Sequence, residues 1–342
     1  MEVTPKLAEQ PRFNYGGQAV IEGVMIRGRE HLSLAVRRQD GSISHHSEPL
    51  NSLYTGVVRR VPLLRGVVLL METLMLGLKA LNKSASMAAS DIQDADEKEI
   101  SGWYMAGAMA LALTLGVGVF FLGPLFIVSW LDPMIASDQA SNGVEGGIRL
   151  IFLVAYIGII GRMGDIKRVF AYHGAEHMAV HAYEAGLPLV LDNVRKFGTP
   201  HPRCGTAFLL TVLLVSIVVF AIFPRPPLEL RILSRIALIP VVAGISYEII
   251  RYAGAHQNGL IGKAVAAPGL LLQRLTTREP DDQQIEVAIH AVEGAIAADA
   301  GRQYPGPESP DLQRLAGVEL VVNRIDASGL PQGREGGSSN GI

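Results

Sequence analysis

The segment Tyr172-His173-Gly174-Ala175-Glu176-His177 sets two imidazoles four residues apart. On a helix this spacing puts both rings on one face, about one turn apart, where a single metal ion can meet both. The pattern His-x-x-Glu-His is the inverted form of a zinc-protease signature, in which the histidines hold the ion and the glutamate activates a water. That reading makes His173 and His177 ligands and Glu176 the base. His181 extends the same face by another turn, and Glu184 adds a carboxylate beyond it. Catalytic zinc commonly keeps three protein ligands and one open position, so a further ligand must arrive from a second segment. His201-Pro202-Arg203-Cys204-Gly205 supplies one more imidazole and the chain's single thiol, which makes His201 and Cys204 the candidates. A thiolate favours zinc, whereas histidines and carboxylates alone leave iron or manganese open. The expected cofactor is a divalent metal, zinc first. The alternative without metal is a solvated helix whose histidines pair with Glu176 and Glu184, with Cys204 as a small buried residue at a helix entrance.

Two further places carry ionisable groups. In Gly16-Gly17-Gln18-Ala19-Val20-Ile21-Glu22-Gly23-Val24-Met25-Ile26-Arg27-Gly28, four glycines frame Glu22 and Arg27. The stretch lacks both the strand–glycine–helix layout of a dinucleotide site and the lysine of a phosphate loop. Glu22 is a ligand, a base, or the partner of Arg27 or Arg65 in a structural ion pair. Glu248 and Arg251 place opposite charges three residues apart near the end of an apolar stretch, with His256 just beyond. Glu248 is a further, lesser ligand candidate.

The elements that must position these residues are apolar. Of the 342 residues 49% are hydrophobic and 18% charged, more apolar and less charged than a soluble globular average. A net charge of -2 offers no basic excess for a phosphate backbone, which argues against nucleic acid as a partner. One cysteine precludes an internal disulfide. The start, MEVTPKLAEQPRFNYGGQ, has no pattern of a secretory signal, so export of the first domain is not expected.

The fold class expected is a mainly α-helical integral membrane protein with about four transmembrane helices, a small N-terminal β-rich cytoplasmic unit and an amphipathic helix. Residues 1–54 form the β-rich unit, in which HLSLAVRRQDGSISHHS alternates around Gln-Asp-Gly as a hairpin would. Residues 55–100 read as an amphipathic helix, either interfacial or buried against the soluble part. The transmembrane domain, 101–275, has spans at about 103–130, 146–163, 204–224 and 232–250, each compared with the roughly 20 helical residues a bilayer core requires. Between the second and third lies the loop 164–204 that bears the histidines and the cysteine. A C-terminal helix covers 276–300, and the tail 301–342 is expected to be disordered. Arg162, Lys167, Arg168, Arg195, Lys196 and Arg203 crowd that loop, which places it, and with it both termini, on the cytoplasmic side. Arg225, Arg231 and Arg235 in the next connection run against this rule.

The stretches GGQAVIEGVMIRG (16–28), HGAEH (173–177), HPRCGT (201–206), SYEIIR (246–251) and PGLLLQRLTTREP (268–280), in that order, resemble the YqhQ family of bacterial membrane proteins, a domain of unknown function. The resemblance implies a multi-pass protein of the bacterial cytoplasmic (inner) membrane and a metal-dependent enzyme, since members have been described as predicted ones. Two functions are therefore expected to compete. One is a cytoplasm-facing metal-dependent hydrolase in the lipid bilayer. The other is a non-catalytic transporter, or an assembly factor with membrane-protein partners.

Overall fold

The computed structural model describes residues 13–50, 61–62, 64–89, 102–222, 227–256, 259–304 and 306. The first residues of the expected β-rich unit, both flanks of the expected amphipathic helix and the expected disordered tail from 307 onward lie outside them. The described chain is mostly helical, with one small antiparallel sheet near its N-terminal end.

The sheet has the order β1-β2-β3-β4, with β1 at Gly16–Val20, β2 at Gly23–Arg27, β3 at His31–Arg37 and β4 at Ile43–Pro49. The expected Gln-Asp-Gly hairpin joins β3 to β4: Gly41 takes a φ of 86°, and Asp40 Oδ1 accepts the Ser42 N–H at 2.8 Å. Both faces of the sheet are covered, so the central strands β2 and β3 are largely apolar on both sides. Leu32, Leu34 and Val36 join Val20 and Met25 against helix α1, Leu64–Ala89, through Leu76, Ala80 and Met87. On the other face, Val24, Ile26 and Ala35 pack on helices α5, Gly164–Glu184, and α11, Asp282–Asp299. Ser33 shares that face, where Gly294 of α11 comes so close that a Cβ would fall 2.6 Å from Ser33 Oγ and 2.0 Å from His45 Nε2. Helix α11 is fixed at both ends. Asp281 and Gln284 form a capping box at its start, and the Asp299 carboxylate takes the backbone N–H groups of Arg29, Glu30 and His31 at its end.

The second half is built from α2 (Gly102–Val117), α3 (Gly123–Leu131), α4 (Asp138–Ile160), α7 (Gly205–Ala221), α8 (Leu228–Ala237), α9 (Ile239–Ala255) and α10 (Leu260–Thr276); α6 is the single turn Leu191–Val194. Helices α2 and α3 are continuous through a π-helical stretch at Gly118–Leu122. Pro124 has no N–H for the Phe120 carbonyl four residues earlier, and Arg149 Nε donates to that carbonyl at 3.0 Å instead. Helices α4, α7 and α10 meet around Leu153, Ile157, Leu210, Leu213 and Leu272.

Among the described residues the structure does not contain four uninterrupted spans. Among the described residues, two helices are long and apolar enough to cross a bilayer, Ala110–Met134 and Asp138–Ile160. Only 18% and 28% of their most apolar stretches are buried inside the protein, so most of that apolar surface faces outward. Helix α7, the expected third span, has 17 residues and a length of about 25 Å. The expected fourth span is two helices, because Pro240 lies in the first turn of α9 and supplies no N–H to continue the ladder from α8.

Helix α8 turns Arg231 and Arg235 inward. The buried Glu145 of α4 accepts from Arg149 and Arg231, each at 2.8 Å, and from Arg235 at 3.2 Å. Arg231 also reaches Asp132 at 3.1 Å. Of the three arginines that contradicted the loop-charge rule, Arg231 and Arg235 are thus held in an internal charge cluster, and Arg225 lies outside the described residues.

Candidate metal centre

Helix α5 is buried on nearly all sides, with Ala171, Gly174, Ala175, Ala179 and Ala182 letting its neighbours approach. At Gly174 a Cβ would lie 2.2 Å from the Arg278 carbonyl oxygen and 3.0 Å from the Thr199 methyl. The segments after α10 and before α7 therefore press directly on the turn that carries both histidines. His173 Nδ1 bonds the Thr276 carbonyl at 2.8 Å, and His177 Nδ1 bonds the Thr199 carbonyl. A carbonyl only accepts, so each Nδ1 carries the proton and, in the neutral ring, each Nε2 offers a lone pair.

The His173 lone pair turns toward the cysteine. His173 Nε2 is 3.2 Å from Cys204 Sγ, and ligand atoms of His173, His177 and Cys204 all lie within 4.8 Å of one another. Tetrahedral zinc, with bonds of about 2.0–2.1 Å to nitrogen and 2.3 Å to sulfur, sets its ligands roughly 3.3–3.6 Å apart. The His173–Cys204 separation is already close to that, and the remaining separations are at most 4.8 Å. Cys204 is the N-cap of α7, and its sulfur accepts the Thr206 backbone N–H at 3.4 Å, a position where the helix dipole suits a negative ligand. Glu176 is buried beside them. Its Oε1 accepts the Gly17 N–H of edge strand β1 at 3.0 Å, and its Oε2 stands 3.5 Å from His177 Nε2. A lone pair facing a carboxylate oxygen is a place for a proton or a cation.

His201 falls into a second group, with His181 and Glu184, whose ligand atoms also lie within 4.8 Å of one another. This group already has its partners. His181 Nε2 donates to the Pro200 carbonyl at 2.9 Å. His201 Nδ1 accepts the Arg203 backbone N–H at 3.2 Å, which leaves Nε2–H to face Glu184 at 3.4 Å. The Arg203 guanidinium is ion-paired with the same carboxylate. Burial raises the Glu184 pKa, but the bond from His201 and the charges of His201 and Arg203 outweigh it and hold the group below the usual carboxylate range. Burial pushes the His181 pKa down. A cation here would have to break the arginine pair and reverse the His201 tautomer. The rings of His173, His177, His201 and His181 nevertheless form one row, with successive centroids 4.4, 5.5 and 4.5 Å apart.

The other candidates are elsewhere. Glu22 has a φ of 50° at the β1–β2 turn and pairs with neither Arg27 nor Arg65. Its carboxylate bonds Arg168 of α5 at 2.7 Å and faces the Tyr172 hydroxyl at 3.3 Å, and the Arg168 bond lowers its pKa. Arg27 bonds the buried Glu72 of α1 at 2.6 Å. Glu248 bonds Arg65 of α1 at 2.6 Å, with Arg251 farther off at 3.8 Å, and is not among the residues gathered around His173. Sequence reasoning missed the Thr199 and Thr276 carbonyls and the Gly17 N–H, since backbone groups leave no trace in residue type. It also missed Gln273, whose side chain bonds both the N–H and the carbonyl of His201 and so holds the cysteine segment. Its signal was its place in the motif at 268–280.

A helical protein with a two-faced four-stranded sheet and a buried histidine–cysteine–glutamate cluster is the class the geometry defines. The profile of the family described as "Protein of unknown function (DUF1385)" matches residues 61–298, and the chain belongs to this YqhQ-like bacterial family. It is similar to "Uncharacterized protein YqhQ" of Bacillus subtilis (strain 168), with 38% identity over 296 residues, which is 84% of this chain and 93% of that protein. No solved structure matches.

Proposed function

We propose that this chain is a membrane-inserted, metal-dependent hydrolase that holds one divalent cation, zinc by preference, through His173, His177 and Cys204, with Glu176 as the base. The observation that carries the reading is the pair of Nδ1–H bonds to backbone carbonyls, which leaves Nε2 of both neutral imidazoles with a lone pair in one cluster with Cys204. Metal-ligating histidines almost always donate their other nitrogen in this way. A cation bound there would polarise a substrate carbonyl or phosphoryl oxygen. Glu176, pinned through Oε1 by Gly17, keeps Oε2 free to take a proton from water beside His177.

Membrane insertion is supported by the little-buried apolar windows of the two long helices and by exposed Trp103, Trp130, Ile151 and Val218. Because Cys204 caps the apolar helix α7, the centre lies at the level of the bilayer surface. The basic connection 162–203 supports a position on the cytoplasmic side.

The test is elemental analysis of detergent-purified protein. One zinc per chain is expected, lost in His173→Ala, His177→Ala and Cys204→Ser and kept in Glu176→Gln and His201→Ala. Wild-type protein that contains no metal and takes up none when zinc is offered overturns the proposal.

A further inference from the structure

Away from the metal centre, α9 and α10 line an open groove of about 790 Å³, within the range of ligand-sized sites, roughly 300–1,000 Å³. Its walls are Ile245 and Ile249 from α9 and Ile261 and Val265 from α10, and its rim carries Glu248, Arg251, Tyr252 and His256. The lining thus joins four apolar side chains to a polar, charged set, the division of an amphiphile. Neighbouring side chains on α10 extend the apolar surface outward, with Leu260 86% and Leu271 64% exposed.

The charge at the rim is the second observation. Arg65 of α1 takes the Glu248 carboxylate through two nitrogens, with Tyr247 beneath its guanidinium. Arg251, whose side chain is 57% exposed and whose nearest nitrogen is 3.8 Å from that carboxylate, keeps most of its charge for another anion. The Tyr252 and His256 rings stack on each other with centroids 4.3 Å apart and line the same groove. An arginine fork beside two polar rings, over an apolar trough, matches a phosphodiester carrying acyl chains.

We infer that this groove binds one anionic phospholipid, its acyl chain along Ile245, Ile249, Ile261 and Val265 and its phosphate on Arg251. The inference rests on the membrane placement proposed above. It is tested by native mass spectrometry of the full chain in detergent with equal amounts of phosphatidylglycerol and phosphatidylcholine. The wild type retains one phosphatidylglycerol in preference to phosphatidylcholine. Arg251→Ala weakens that retention about fivefold, the worth of one basic contact near a lipid surface, and Arg251→Lys recovers most of it. Val265→Trp, which fills the trough, loses both lipids while its melting temperature confirms folding. Equal retention of the two lipids by the wild type, or undiminished phosphatidylglycerol in Arg251→Ala and Val265→Trp, overturns the site. A chain that resists carbonate extraction from membranes yet holds no phosphatidylglycerol refutes the groove alone, whereas release by carbonate refutes the membrane reading.

Discussion

Gly174→Ala separates the metal site from the helix that carries it. In a helix interior, alanine is preferred to glycine by about 1 kcal/mol, so propensity alone predicts a more stable protein. The structure predicts the opposite. A Cβ at 174 would fall 2.2 Å from the Arg278 carbonyl oxygen, and that peptide is held in turn by the Arg278 N–H to Phe170 at 2.9 Å. Restoring van der Waals contact requires the segment to retreat by roughly 1 Å, a change that costs about 1–3 kcal/mol in a close-packed interior. The Thr276 carbonyl is two residues away and would leave hydrogen-bonding range of His173 Nδ1, now at 2.8 Å. Loss of one such outer partner typically lowers metal affinity about 10–100-fold. The expected result is therefore slightly lower stability, near-native helix content and zinc affinity reduced by one to two orders of magnitude. Competition against a chelator of known affinity, with circular dichroism melts in parallel, reads all three. Gly205→Ala is the control, because a Cβ there meets nothing within 4 Å although it adjoins Cys204. Zinc affinity within twofold of wild type in Gly174→Ala, together with an unchanged or higher melting temperature, refutes the reasoning.

Two other perturbations act outside the centre. Burial, together with nearby His46 and His290, pushes the His45 pKa down to about 4, while Ser33 bonds its Nε2 at 2.9 Å. The unfolded chain binds this proton near pH 6.5 and the folded one does not, so the contribution is complete above about pH 6.5 and shrinks as pH falls toward 4, by about 3 kcal/mol. Denaturant titrations at pH 7, 5.5 and 4.5 should show the loss, and His45→Gln should flatten it; an equal slope in both proteins would disprove the assignment. In the charge cluster, Glu145→Gln leaves Arg149, Arg231 and Arg235 without their shared carboxylate and should destabilise by about 3–5 kcal/mol. Asp132→Asn, at the partly exposed edge, should do clearly less in the same detergent melts, and a reversed order would be incompatible with the cluster as described.

Much of this protein was legible as a string. The His173–Glu176–His177 spacing survives intact because it lies within one helix, where 3.6 residues per turn decides which side chains meet. The β3–β4 hairpin was legible for the same reason, since Asp40-Gly41 dictates a turn locally. Family membership followed from five motifs in order, and the apolar runs gave the two long helices. Partner choice across the chain was not legible. Cys204 rather than His201 meets His173, Glu22 binds Arg168 rather than Arg27 or Arg65, and Arg231 and Arg235 turn inward to Glu145 instead of marking a cytoplasmic loop. Each depends on which helices lie side by side, a property of packing between distant segments that no local periodicity encodes. The tautomers of His173 and His177 are the clearest case. They are set by the carbonyls of Thr276 and Thr199, and every residue has a carbonyl, so only the tertiary structure could decide which ones point at the rings.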